Sequence, residues 1–144
     1  MSEVTGWALI QARLDSGYTG DWSIYWPNTV NQAPDPDTDN VEGYLRAVIH
    51  EAAPFQADTN GSGGTFRHPG QLVVSIFTLR GIGVGSALAL GDTLAALFRG
   101  KKEASGTTEI IYRTPNVRAV GSDGQWYQTD VEVPFERDTQ HTTT

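Results

Sequence analysis

Hydrophobic and polar positions in the middle of the chain predict a buried strand followed by an amphipathic helix. The run 66–79 ends in a dense series of β-branched and aromatic residues, which is typical of a strand inside a sheet. A glycine-rich turn follows at 80–85, and from 84 to 99 apolar residues recur at helical spacing. The predicted apolar stripe of this helix is Val84, Leu88, Gly91, Ala95 and Phe98, flanked by Ala87 and Leu94.

The first part of the chain predicts a helix and a short strand. Trp7, Ile10 and Leu14 fall on one stripe of a helix over residues 2–16, although Gly6 lowers helix propensity in its first turn. The segment 21–26 contains three aromatic residues and precedes a proline, so it is predicted to be a short buried strand.

An extended β-hairpin is predicted between residues 41 and 79. Alternation over 41–53 places Leu45, Ala47 and Ile49 on one face, with Tyr44, Arg46, Val48 and His50 on the other. The polar segment 54–65 contains Gly-Ser-Gly-Gly at 61–64 and links this strand to the next one. Such a tip has too few apolar residues to pack on itself, so we expect it to project and to order against a neighbour.

The last third of the chain predicts strands joined by polar segments. Residues 100–106 are a polar connector, 108–113 a strand, 116–120 a short strand, and 121–124 a turn. Residues 127–135 alternate clearly, with Tyr127, Val131, Val133 and Phe135 on one face and Gln128, Asp130, Glu132 and Pro134 on a wet one. These elements predict an α+β fold, with a single mixed, mainly antiparallel sheet, two helices on one face and a long protruding β-hairpin. One domain is expected over 1–138, and a flexible tail over 139–144.

Composition narrows the classes of function. The chain has 144 residues, a net charge of −7 and no cysteine, which removes disulfides, thiolate metal sites and a cysteine nucleophile. The absence of cysteine favours assembly in a reducing compartment. The sequence also lacks a membrane-length apolar run and an export signal, so neither membrane insertion nor export is expected. The one adjacent basic pair, Lys101 and Lys102, is too little for a duplex-binding protein, whereas an acidic balance suits a surface that nucleic acid passes without sticking.

Two apparent ligand motifs fail on inspection. Asp35, Asp37 and Asp39 alternate as in a calcium loop, but the central glycine is missing and Arg46 stands where a bidentate glutamate belongs. The glycines at 81, 83 and 85 lack both the lysine of a phosphate loop and the third glycine of a dinucleotide fingerprint. We therefore expect a solvated turn at the first place, a strand-to-helix turn at the second, and neither a metal nor a cofactor.

No catalytic pattern emerges from the titratable residues. His50, His68 and His141 lie far apart on different elements, and the acidic pair Asp130 and Glu132 shares the wet face of a strand. The expectation is that the protein is not an enzyme. A small enzyme or ligand-binding domain that uses His50 and nearby acids remains an alternative.

The series of features resembles the tail terminator family of long-tailed bacteriophages and gene transfer agents. The similar segments lie in the same order and cover most of the chain: 7–14, 43–49, 70–77, the glycine turn, 87–99 and 124–135. The resemblance implies a small α/β structural subunit of the virion without catalytic residues. It also implies a ring, typically of six copies, that sits on the tail tube at the neck, stops tube polymerisation and presents a surface to a head-side connector.

Expected partners follow from this resemblance. They are other copies of the chain, the tail tube protein and a head-side connector or stopper, with DNA passing through the channel without specific binding and with assembly in the host cytoplasm. Another connector or tube-like ring component is an alternative reading. The candidate subunit or tube interface comprises Asp35, Asp37, Asp39, Asn60, Gly61, Ser62, Gly63, Gly64, Thr65, Phe66 and Arg67.

Overall fold

A computed structural model describes residues 2–20, 22–26, 43–53, 55–56, 65–79, 84–105, 108–124 and 126–140. Two helices, α1 (Ser2–Gly17) and α2 (Val84–Phe98), accompany a sheet of eight strands in these ranges. The strands are β1 (Ile24–Tyr25), β2 (Gly43–Glu51), β3 (Phe55–Gln56), β4 (Thr65–Leu79), β5 (Lys102–Ser105), β6 (Thr108–Tyr112), β7 (Asn116–Asp123) and β8 (Trp126–Gln140). The predicted α+β class, with one mixed and mainly antiparallel sheet, is confirmed.

Two long strands form the centre of the sheet. β4 and β8 pair antiparallel along their whole lengths, from Thr65 opposite Gln140 to Leu79 opposite Trp126. On the far side of β4 lie β2 and the short β3, and β1 adds to β2 as the one parallel pair. On the far side of β8 lie β7 and then β6, with β5 at the edge beyond β6. The order is therefore β1-β2-β4-β8-β6-β5, and β7 borders the first half of β8.

Both helices pack on the same face of this sheet, here named the inner face, as the sequence predicts. The core includes Ile10 and Leu14 from α1 and Ala87, Leu94, Ala95 and Phe98 from α2. Alternate strand residues complete it: Leu45, Ala47, Ile49, Leu72, Val74, Ile76, Ile110, Tyr112, Val131, Val133 and Phe135. The period-2 prediction is confirmed for β2 and for Val131, Val133 and Phe135 of β8, whereas Tyr127 is half-buried and does not belong to this core.

One member of the predicted helical stripe is not buried. Leu88 is 37% exposed, whereas its neighbour Ala87 is fully buried. A Cβ added to Gly91 would lie 2.8 Å from Val117 Cγ1, so the small residues of α2 are the ones that approach the sheet. Close packing through Ala87 and Gly91 turns Leu88 toward solvent.

Several predicted boundaries shift because backbone pairing extends the strands. The polar connector 100–106 contains β5, which pairs with β6 from Lys102 to Ser105. β7 continues through most of the predicted turn to Asp123, so the turn begins at Gly124, whose φ of 61° suits glycine. β8 runs to Gln140, so the first two residues of the predicted tail, 139–140, belong to the sheet. The strand predicted over 21–26 is limited to Ile24 and Tyr25.

The predicted hairpin is present in its described part. β2 and β4 pair antiparallel from Gly43 opposite Thr78 to Glu51 opposite Gly70, and β3 then pairs with Phe66 and Arg67. We call the segment 54–68 the arm, and the paired residues 65–69 and 136–140 the arm root. The tip of the arm, the loop 28–40 and the turn 80–83 lie outside the described residues.

Candidate assembly surfaces

The predicted interface residues divide into two groups. Asp35, Asp37, Asp39 and the series from Asn60 to Gly64 lie outside the described residues, so their role stays a prediction. β4 begins at the arm root with the other three, Thr65, Phe66 and Arg67. The structure thus places three of the eleven residues, and all three are paired to β8.

Arg67 fixes the arm root on the face of the sheet opposite the helices, here named the outer face. Its guanidinium donates two bonds to the carboxylate of Asp138, Nε to Oδ1 at 2.9 Å and Nη2 to Oδ2 at 3.0 Å. Glu136 lies 3.4 Å from the same Nε. The hydrogen bond to Asp138 raises the pKa of Arg67, followed by the charge of that carboxylate. Since Arg67 and Asp138 are register partners, this is a cross-strand ion pair.

A buried ion pair lies beneath the inner face of the arm root. Arg137 is fully buried and donates Nε and Nη2 to the two carboxylate oxygens of Glu51, at 3.1 and 2.8 Å. His68 Nδ1 lies 3.9 Å from Glu51 Oε2. A Cβ at Gly6 would lie 2.3 Å from Arg137 Cδ, so α1 passes directly over the arginine. The arm root is therefore tied to β2 and covered by α1.

The rest of the outer face carries a ladder of ion pairs along β8. Arg113 donates Nη2 to Glu136 at 2.9 Å, and Arg118 places Nη2 3.3 Å from Glu132 and 3.8 Å from Asp130. The side chains of Arg113 and Arg118 are 53% and 55% exposed, whereas the acidic side chains of β8 in these pairs are 10–25% exposed. The predicted wet face of β8 is thus a layer of carboxylates with guanidinium groups above them.

One corner of the outer face is aromatic. The rings of Tyr44 and Phe77 stack with centroids 4.7 Å apart, and Trp126 and Tyr25 meet Tyr44 edge-on at 5.0 and 5.7 Å. The Arg46 guanidinium lies 5.0 Å from the Phe77 ring centre, a cation–π geometry. Tyr44 and Phe77 are buried under these neighbours, so the corner is a small second core.

A network on the inner side holds α1 to the edge of the sheet. Tyr112 donates its hydroxyl hydrogen to Glu103 Oε2, and Arg13 Nε lies 3.0 Å from Glu103 Oε1. Arg13 also donates Nη1 to the carbonyl of Leu97 at 2.9 Å, which connects α1 with α2. Burial, and next the hydrogen bond to Glu103, raise the pKa of the Tyr112 phenol. These groups join α1, α2 and the β5–β6 edge of the sheet.

The described histidines do not assemble a catalytic or metal centre. His50 is exposed on the outer face opposite Gln71, and His68 lies at the buried pair on the inner face. Within the described ranges, no three His, Cys, Asp or Glu side chains group as metal ligands would. No helix in that part of the chain is long and apolar enough to cross a membrane.

Sequence reasoning missed the charged pairing of β4 and β8. The sequence points to Arg67 only through its place at the arm, whereas its partners Glu136 and Asp138 lie at the very end of the predicted domain, 1–138. The signal was present as acidic residues at alternate positions from 130 to 138, interrupted only by Pro134. Assigning arginines to them required the register of the sheet.

Comparison with known proteins identifies the fold. The sequence model of a family described as phage tail terminator protein matches residues 6–135. A solved structure superposes with a TM-score of 0.72, at 23% sequence identity, covering 95% of this chain and 96% of its own; this likeness shows the fold alone. No curated protein sequence matches this chain.

Proposed function

Since this chain belongs to the phage tail terminator family, and so has a structural role in a phage tail, we propose that it forms a ring that caps the tail tube and ends its polymerisation. The ring is proposed to contain six copies. It also presents the attachment surface for a head-side connector or stopper at the neck of the virion, after assembly in the host cytoplasm. DNA passes through its channel without specific binding.

The observation that carries this proposal is the family match over 6–135, which covers α1 from Gly6, all of α2 and the sheet through Phe135. The geometry supports it in one respect. Within the described residues, both helices cover the inner face, while the outer face and the arm root present surfaces suited to other subunits. A ring of identical subunits requires a heterologous contact, in which two different patches of the chain meet. Such a contact leaves the two ends of the ring unlike each other, so that one end binds the tube and the other does not extend it.

The proposal is tested by measuring mass and tube length together. Native mass spectrometry of the purified chain, alone and with the tail tube protein, should give a closed oligomer, and electron microscopy should show tubes capped at one end. Tubes polymerised with the chain should stop growing. A chain that remains monomeric and leaves tube growth unchanged would refute the proposal, and a ring that binds only the head-side connector would favour another neck component.

The arm gives a sharper prediction. Deleting 60–64, the glycine-rich end of the arm, should impair assembly while leaving the melting temperature nearly unchanged, because the deletion removes no residue of the described core. Size-exclusion chromatography with light scattering and circular dichroism would measure the two quantities. A replacement of 60–64 by five serines, which retains the length, is the matched control. Assembly equal to that of the wild type after the deletion would remove the arm from the mechanism.

A further inference from the structure

We propose that Arg113 and Arg118 form the receiving half of a head-to-tail contact between copies of this chain, and that the acidic segment 35–42 of the next copy occupies it. The inference rests on the ring assembly proposed above. It assigns to that ring one contact and its chemistry, namely carboxylates of one copy on guanidinium groups of its neighbour.

The two arginines have unused donor capacity. Each reaches the carboxylates of β8 through Nη2, in the bonds that the described residues form, and more than half of each side chain is exposed. A guanidinium has five N–H donors, so a further carboxylate could bind to the remaining ones of each group. The carboxylates beneath keep both side chains extended over the sheet, which pre-organises them for a partner.

The distribution of charge favours this face as the place where an acidic copy docks. Register and the bond between Arg113 and Glu136 place five basic and six acidic residues on the outer face: Arg46, Arg67, Lys102, Arg113 and Arg118, with Glu109, Asp123, Asp130, Glu132, Glu136 and Asp138. The face therefore carries a net charge of only −1, and −6 of the net charge of −7 belongs to residues elsewhere in the chain. Between 27 and 42 there are four acidic residues, Asp35, Asp37, Asp39 and Glu42, and no basic one.

The topology separates the two halves of the contact. The acidic segment joins β1 to β2, which lie at one edge of the sheet. The opposite side of the sheet, beyond β8, holds Arg113 and Arg118. Arg113 follows the end of β6 and Arg118 lies in β7, and these two strands pair with successive parts of β8. Arg118 lies in the same cross-strand row as Arg46, three ladder steps or roughly 14 Å away. Copies placed side by side would bring the acidic edge of one to the arginine edge of the next, which is the heterologous geometry a ring needs.

Pairing of strand edges is a weaker explanation for contact at this side. β7 carries a bulge between Ala119 and Gly121, and Val120 there is 46% exposed. A bulge interrupts the regular row of backbone donors and acceptors that strand addition requires. Side-chain charge, rather than backbone pairing, is therefore the chemistry assigned to this contact.

A charge swap tests the contact and separates it from misfolding. One variant carries Arg113→Glu with Arg118→Glu, and the other carries Asp35→Lys, Asp37→Lys and Asp39→Lys. Each alone should self-associate at least about tenfold more weakly than the wild type. An equimolar mixture should recover assembly into rings in which the two variants alternate. In such rings the introduced glutamates meet the introduced lysines, and the native arginines meet the native aspartates, so every contact again joins opposite charges. Arg99→Glu with Lys101→Glu makes the same change in net charge at exposed positions off this face, and should assemble normally.

The outcomes distinguish this contact from the ring itself. Restored assembly in the mixture alone supports the contact, since a misfolded variant would not be rescued. Rings that form equally well from either variant, or folded variants that stay apart when mixed, overturn the contact and leave the proposed ring intact. A wild-type chain that forms no ring and caps no tube overturns both.

Cross-linking gives a direct measure because the chain has no cysteine. Copies with Arg118→Cys, mixed with copies with Asp37→Cys, should form the mixed disulfide faster than copies with Ser86→Cys do, since Ser86 is exposed on α2. A chain that carries both Arg118→Cys and Asp37→Cys should cross-link between copies. A disulfide within one copy would place the acidic segment on its own sheet and would overturn the contact between subunits.

Discussion

Gly6 lowers helix propensity in the sequence, but in the structure it is needed for close packing. In the sequence it is a helix position of low propensity, worth about 1 kcal/mol less than alanine. In the fold it is the point where α1 crosses the buried side chain of Arg137, with 2.3 Å between an added Cβ and Arg137 Cδ. The two carboxylate bonds to Glu51 hold Arg137 in place, so the arginine has little freedom to yield.

We therefore expect Gly6→Ala to lower the free energy of unfolding by about 1–2 kcal/mol, because overpacking against Arg137 outweighs the gain in helix propensity. Gly85→Ala is the matched control, since Gly85 also lies in a helix and an added Cβ would meet no atom within 4 Å. That variant should be neutral or more stable. Urea unfolding followed by circular dichroism measures both, and a stabilising Gly6→Ala would show that Arg137 is not held as described.

Tyr112 should make the folded protein less stable at alkaline pH. Its pKa is raised in the folded chain by burial and by the bond to Glu103, while an unfolded tyrosine ionises near pH 10. Below pH 10 both states keep the proton, so the stabilisation is fully present there. Above it only the unfolded chain loses the proton, and the free energy of unfolding should fall by as much as about 1.4 kcal/mol per pH unit.

Tyr112→Phe should flatten this dependence between pH 10 and 11.5, because the replacement has no proton to lose. Urea titrations at several pH values measure how steeply the free energy of unfolding falls with pH. Equal slopes for wild type and Tyr112→Phe would contradict the role of burial.

At the scale of elements, the arm root combines ion pairs on both faces of the sheet. On the outer face Arg67 of β4 binds Asp138 of the neighbouring β8, while on the inner face Arg137 of β8 reaches across β4 to Glu51 of β2. These bonds act where β4 extends past the end of β2, so that on this side only the short β3 pairs with it, while β8 continues on the other. They therefore hold the base of the arm in a defined direction.

Removing the outer pair should loosen the arm root and leave the core intact. In Arg67→Ala we expect faster amide hydrogen exchange in 65–69, because Asp138 and Glu136 lose the cation that joins them to β4. The melting temperature should change little, since the side chain is solvated. Arg118→Ala removes a similar cross-strand pair at the other half of β8 and should leave exchange in 65–69 unchanged. Unaltered exchange in Arg67→Ala would assign the rigidity of the arm root to the inner pair.

At the scale of the whole molecule, the fold depends on joining segments that are far apart in sequence. β4 and β8 pair along their full lengths although α2 and three strands lie between them in the chain. The core residues of α1 and α2 pack on the inner face of the sheet, so neither helix can bury them fully until that sheet exists. Topologies of this kind fold in milliseconds to seconds.

We expect formation of the β4–β8 pair to limit the folding rate. Val131→Ala, at a fully buried position opposite Val74, should slow folding. Ile10→Val, which alters the docking surface of α1, should chiefly speed unfolding. Stopped-flow measurements in urea give both rates. A Val131→Ala variant that folds at the wild-type rate would mean that the central pair forms after the transition state.

The sequence by itself determined both helices, the longer strands, the faces that they bury and the fold class. Periodicity is a local property, so the alternation of Leu45, Ala47 and Ile49, or the helical spacing of Ala87, Leu94 and Phe98, could be interpreted without a partner. The order of such elements was also sufficient to suggest the family that the sequence match then showed.

Only the tertiary structure decided which distant residues meet. Strand order and register paired Arg67 with Asp138 and Arg118 with Glu132, buried Arg137 under Gly6, and exposed Leu88 on an otherwise well-predicted stripe. It also extended β7 and β8 into residues that read as a turn and a tail, because backbone hydrogen bonds to a neighbouring strand do not depend on side-chain pattern. Charge pairing across a sheet is set by register, and register is a property of two strands together.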